Sequence, residues 1–138
     1  MTHIERRNVP GLAEPPGYTH LATVRDCRLV FVAGQVPLDR EGTLVGRGDA
    51  REQARQCLRN LEACLAEAGA SPDDVVRTTV YVVPTERSSL ADVWGELRKA
   101  DLGAVVRTPA TLVGVAQLGY EGQLVEIEST AAIPMRDR

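Results

Sequence analysis

The sequence predicts a two-layer α/β sandwich of order ββαβαββ, with one sheet carrying both helices on a single face. Three observations predict it. Two segments repeat apolar residues at spacings of three and four, and short runs rich in β-branched residues surround them. The chain has 138 residues, 43% of them hydrophobic and 25% charged, the balance of one ordinary soluble domain. A domain of this size buries roughly two thirds of the surface its unfolded chain exposes, so it needs no disulfide or structural metal.

Residues 1–17 carry three prolines and little periodicity, so they read as an arm ahead of a single domain at 18–134 and a short tail at 135–138. His20 to Val24 reads as a strand, Asp26-Cys27 as a turn, and Leu29 to Val36 as the hairpin partner. After a glycine-rich loop from Gly42 to Gly48, Asp49 caps a helix with Glu52 three residues on. Ala54, Cys57, Leu58, Leu61, Leu65 and Ala68 form its apolar stripe, and Gly69 ends it. Ser71-Pro72 marks a single turn before the strand Val75 to Val83, which Pro84 stops. A second helix starts at Ser88 or Ser89 and turns Leu90, Val93, Trp94 and Leu97 inward, ending before Gly103. The last strands, ATLVGVAQL from Ala110 and QLVEIESTAAI from Gln123, flank Gly119-Tyr120-Glu121-Gly122 and read as a hairpin.

Strand alternation in Val75 to Val83 sets Val76, Val80 and Val82 on one face and Val75, Tyr81 and Val83 on the other. Both faces are then apolar while the helices cover one, so a symmetric homo-oligomer is expected.

Composition narrows the function classes. A net charge of −3 and an isoelectric point near 5.4 lack the basic footprint of nucleic-acid binding. No apolar run approaches the roughly 20 residues that span a bilayer, and the start MTHIERRN lacks the apolar centre of a signal peptide. The expectation is a cytoplasmic protein with no membrane partner. Cys27, Cys57 and Cys64 form no CxxC pair, and Cys57 and Cys64 lie seven apart on one helix as small hydrophobes. His3 and His20 are the only histidines, so a nucleophile paired with histidine would have to use His20. Lys99, the one lysine among 16 basic residues, sits on a solvated helix face, which argues against Schiff-base chemistry. The glycines at 42, 46 and 48 form no phosphate loop.

PGYTHLATV, LVFVAGQVPLDREGTLV, QARQCLRNLEACLAEAGAS, DDVVRTTVYV, PATLVGVAQL and LVEIESTAA together resemble the Rid family of reactive-intermediate deaminases, also called the YjgF/YER057c/UK114 family, from Tyr18 to Ala132. The resemblance implies a chorismate-mutase-like protomer, a homotrimer, and a small-molecule pocket at each subunit interface. It also implies hydrolysis of short-lived enamines and imines to keto acids and ammonia, without a cofactor or metal.

On that resemblance, Glu126 in LVEIE is the carboxylate that positions the attacking water, with exposure on the strand face as the plain alternative and Glu128 left to a structural role or a salt bridge. Gly34 lies at the pocket or marks a β-bulge, or both. Tyr18 matches the pocket tyrosine, Leu112 supplies a backbone contact, and Trp94 is either core or an apolar pocket wall. The family's carboxylate-binding arginine falls on Ala110, or on Thr111 if the register shifts by one, and Arg107 could replace it only by curling inward from its loop. A hairpin register would set Ala110 beside Glu126. The function expected is therefore hydrolysis of a reactive enamine or imine other than the simple 2-imino acids. A tautomerase or cyclase on the same fold, or a ligand-binding protein without turnover, are the alternatives.

Overall fold

The computed structural model describes residues 2–135, so all but Met135 of the expected tail lies outside the described residues. In chain order the elements are strands β1 (Ile4–Arg7), β2 (Leu21–Val24) and β3 (Cys27–Gln35), helix α1 (Ala50–Glu67), strand β4 (Val75–Val82), helix α2 (Ser89–Lys99), and strands β5 (Ala110–Gly114) and β6 (Val125–Pro134). Single 3-10 turns occupy Pro72–Asp74 and Gly103–Val106.

Helix α1 begins where the sequence sets it, because the Asp49 carboxylate accepts the Glu52 N–H at 3.1 Å. It ends where Gly69 takes a φ of +79°, a conformation that costs a residue with a Cβ about 1 kcal/mol or more. Its stripe of Ala54, Cys57, Leu58, Leu61 and Leu65 is buried, and so are Val93 and Leu97 of α2. These pack in one cluster with Val75, Val80 and Val82 of β4 and Val125 and Ile127 of β6. Each of these Val, Leu and Ile side chains contributes about 1.5–3 kcal/mol on burial, which makes this single layer of contact the main stabilising feature. The two-layer architecture is the one expected. Across the seam, Glu96 of α2 accepts from Arg55 of α1 at 2.7 Å and pairs with Lys99 at 3.1 Å. Burial alone would raise the Glu96 pKa, but these two cations outweigh it and hold the carboxyl below its ordinary value.

The strand pairing differs from both expected hairpins. Strand β2 pairs with β1, from Ile4↔Val24 to Arg7↔Leu21, in a small sheet of its own. The segment read as an irregular arm therefore holds a strand. Its anchor is Arg6, which donates to the Asp73 carbonyl at 2.7 Å, the Val75 carbonyl at 2.6 Å and Thr108 Oγ1 at 3.1 Å. Four residues, three of them charged, carry no local signal that those distant acceptors exist. The final hairpin is likewise absent: the main sheet has the order β3-β6-β4-β5. Strand β5 runs parallel to β4, and β6 lies on the other side of β4, antiparallel to it. The physical reason is that α2 separates β4 from β5, and a strand, a crossover helix and a strand make a parallel pair.

The faces of β4 also sort differently. A register shift between Val75 and Arg77 brings Val75 onto the helix side with Thr78, Val80 and Val82, all fully buried. The outward row is then Arg77, Thr79 and Tyr81, so β4 is not apolar on both faces. The uncovered apolar surface comes from β3, where Leu29 is 49% and Phe31 76% exposed.

One buried polar group ties this frame to the loops. Gln53 of α1 is fully buried, donates to the carbonyls of Gly46 and Gly122 at 3.0 Å each, and accepts the Leu124 N–H at 2.7 Å. Gln53→Leu would leave all three backbone groups without this partner, so a loss of about 2–4 kcal/mol is expected in urea unfolding. A change below 0.5 kcal/mol, on the order of a surface substitution, would show that water replaces the amide.

Candidate functional site

Glu126 sits on β6 between Val125 and Ile127, which both point into the core, so its side chain leaves by the opposite face. Its neighbour across the sheet is Tyr81. Beside it, β3 bulges between Val32 and Gln35. Gly34 lies inside that bulge with its missing side chain directed at the glutamate. A Cβ built there would overlap Glu126 Oε2 and come within 2.8 Å of the carboxyl carbon. The expected bulge at Gly34 is present, and it brings a backbone without a side chain up to the carboxylate.

The other carboxylate oxygen is held by Gln123. Its Nε2 donates to Glu126 Oε1 at 3.1 Å and to the Val125 carbonyl at 3.0 Å, while its Oε1 accepts the Tyr120 N–H at 3.1 Å. Gln123 is buried, and the Gly122 carbonyl and Leu124 N–H on either side of it are bonded to Gln53. A carboxylate oriented in this way keeps lone pairs for a further partner and can accept a proton from water.

On the same face Tyr81 donates its hydroxyl to Glu128 Oε1 at 2.5 Å. That bond, followed by burial and the charges of Glu128 and Glu126, pushes the phenol above its usual pKa and keeps it protonated. Glu128 thus has the structural partner expected of it. Arg77 Nη2 donates to Thr111 Oγ1 at 2.7 Å.

Ala110 and Thr111 lie on opposite faces. Ala110 pairs with buried Thr78, and Leu112 pairs with Val80 and packs against the core, so both turn toward the helix layer. Thr111 pairs with Thr79 on the Glu126 face. With β4 lying between β5 and β6, Ala110 is not beside Glu126, and the register assumed for a hairpin is corrected accordingly. Arg107 does not curl toward the glutamate either; its guanidinium lies against Gly103 and the end of α2. Tyr18 and Trp94 meet edge to face with ring centroids 6.3 Å apart, and Trp94 Nε1 donates to the Pro16 carbonyl at 3.1 Å. Trp94 also packs against the core, so it serves as core and as a wall for the 16–18 segment.

A family model described as Endoribonuclease L-PSP matches residues 12–133. A conserved Rid-family protein of unknown function from Yersinia pestis, YyfB, superposes with a TM-score of 0.86 at 32% identity, over 96% of this chain and 100% of that one. The chain belongs to the Rid family. A RutC family protein of Pyrococcus horikoshii, PH0854, is 43% identical over 99 residues, 67% of this chain and 79% of its own length. A 2-iminobutanoate/2-iminopropanoate deaminase of Salmonella typhimurium is 41% identical over 54 residues, 39% of this chain and 41% of that enzyme.

In this Rid protein the cysteine reading from sequence fits. Cys57 is fully buried and its thiol lies against the Val125 carbonyl. Burial, with the charge of Glu126 adding to it, pushes its pKa well above the ordinary thiol range, so it is no nucleophile near neutrality. His20 Nδ1 accepts the Val9 N–H at 2.9 Å, a bond that fixes the N-terminal segment. Among the described residues of the Rid chain, no group of three or more His, Cys, Asp or Glu side chains could hold a metal ion, and no helix is long and apolar enough to cross a membrane. Gln123 and Gln53 escaped the sequence reading. The only signal for Gln123 was an amide at the start of an apolar strand, directly after a glycine turn.

Proposed function

We propose that this Rid protein is a cofactor-independent imine or enamine deaminase in which Glu126 activates the attacking water. The observation that carries this reading is the Glu126 carboxylate, bonded to buried Gln123 on one side and seated against Gly34 on the other. Water adds to the imine carbon while Glu126 takes one of its protons. With the imine nitrogen protonated on entry, the resulting carbinolamine is neutral. It collapses as the nitrogen gains the proton held by Glu126 and leaves as ammonia, while the hydroxyl gives its proton to Glu126 as the carbon–oxygen double bond forms. The departing ammonia carries that last proton away as ammonium. The similarity to the Salmonella iminobutanoate and iminopropanoate deaminase supports this reaction class.

The substrate differs from a simple 2-imino acid, because neither Ala110 nor Thr111 carries a charge for its carboxylate. Losing a charge-assisted bidentate contact of that kind weakens affinity by roughly a hundredfold or more. The test is a panel of imines generated in place, 2-imino acids by an amino-acid oxidase and carboxylate-free imines by an amine oxidase, with semicarbazide competition reading each lifetime. Faster loss of imines without an α-carboxylate, and slow or absent loss of 2-iminopropionate, is the expected result. No acceleration of any imine would overturn the deaminase reading. Full turnover of 2-iminopropionate would overturn the substrate reading and direct attention to Arg77 at Thr111.

We further propose that the working unit is a homotrimer with its pockets between subunits. Exposed Leu29 and Phe31 on the uncovered sheet face support burial against other copies of the chain. Light scattering at micromolar protein is expected to give about three times the 14.9 kDa protomer mass, and a stable monomer would remove the interface pocket.

A further inference from the structure

The last turn of α2 ends in Arg98 and Lys99, and Arg107 joins them from the end of the following 3-10 turn. Together with Gly17 and Gly95 they line a cleft of about 350 Å³ that has no acidic side chain in its lining. Lys99 pairs with Glu96 at the rim. Among the described residues neither Arg98 nor Arg107 has a salt bridge or side-chain hydrogen bond. Cations at a helix C-terminus complement its dipole, which accounts for Arg98 and Lys99. It does not account for Arg107, nor for the way both guanidiniums are seated.

That seating uses glycine twice. Gly17, at a φ of +106°, lies so close to Arg98 that an added Cβ would fall 2.9 Å from the guanidinium carbon. A Cβ on Gly103 would fall 3.3 Å from one terminal nitrogen of Arg107 and 3.4 Å from the other. The 15–18 segment is itself fixed over the helix by the Trp94 bond to Pro16 and the Tyr18 ring on Trp94. Two exposed arginine forks thus lie beside bare backbone with their donors unspent, and each planar fork can give two charge-assisted bonds to an oxyanion.

We propose that this cleft is an oxyanion site, in which Arg98, Lys99 and Arg107 take the carboxylate or phosphate group of a small molecule. The volume suits a ligand of that size. Glu126 is not in the lining, and anion binding is read without imine turnover, so the proposal is tested independently of imine hydrolysis.

Trp94 is the only tryptophan in the chain, and it precedes Gly95 of the cleft lining, so its fluorescence reports occupancy. Inorganic phosphate and acetate are titrated separately into the full chain, at ionic strength held constant with sodium chloride. A saturable change with phosphate, acetate or both is expected, weakened at least about tenfold in Arg107→Gln and in Arg98→Gln. Response to phosphate alone assigns the site to a phosphoryl group, and response to acetate assigns it to a carboxylate. Melting temperatures check that the variants are folded, and Arg107→Gln, which alters an exposed loop residue, keeps the test open if Arg98→Gln unfolds. A flat titration with both anions overturns the proposal. So does a response that both folded variants retain.

Discussion

Glu126→Gln is expected to lower imine hydrolysis by about 10²–10⁴-fold, the usual contribution of a positioned general base, and to leave the fold unchanged. The substitution keeps size and shape, and the new amide oxygen can still accept from Gln123 Nε2, now 3.1 Å from the carboxylate. It removes only the capacity to take a proton. Semicarbazide competition on the best imine of the panel measures the loss, and the melting temperature confirms an intact protomer. Activity within twofold of the parent would move the base to another group, and Glu128 is a poor substitute while Tyr81 is bonded to it.

The second large effect is expected at Gly34. In Gly34→Ala the new methyl and Glu126 Oε2 cannot occupy the same space, so the carboxylate must swing away from its present position. A displacement of about 1 Å at a reacting group can cost around 10²-fold in rate, and the loss should appear in kcat more than in KM. Stability should change by less than about 1 kcal/mol, because Gly34 has no positive φ and the group it displaces is the far end of a flexible side chain. In a Glu126→Gln background Gly34→Ala should cost almost nothing further, since both changes act on one interaction. The opposite pattern, a large drop in stability with activity per folded molecule preserved, would reduce Gly34 to a residue of the bulge alone.

The local features of this chain were legible because local physics sets them. Asp49 and Glu52 announce a helix start, and the stripe from Ala54 to Leu65 fixes the buried face of α1 by spacing alone. Glu126 was readable as outward-facing from its place between Val125 and Ile127. Similarity of motifs, such as LVEIE and the AGQ of β3, then attached a candidate chemistry to those positions.

What the local pattern could not carry was partnership. Strand β1 exists because Arg6 reaches acceptors at Asp73, Val75 and Thr108, more than sixty residues away in each case. The glycine turn at 119–122 looked like a hairpin, yet β5 follows a crossover helix and lies parallel to β4, and β6 therefore takes the opposite side. That difference in strand order separates Ala110 from Glu126, and the register that sets Thr111 beside Thr79 puts Thr111, and not Ala110, on the Glu126 face. By itself the sequence determined the helices and the fold class, since these follow from short-range periodicity and caps, while the resemblance of LVEIE to the Rid family singled out Glu126 as the candidate carboxylate. Only the tertiary structure decided which backbone is bare beside that carboxylate, which amide orients it, and which cations gather at the end of α2, because hydrogen bonds and close contacts between distant segments form in three dimensions and leave no periodic trace in the chain.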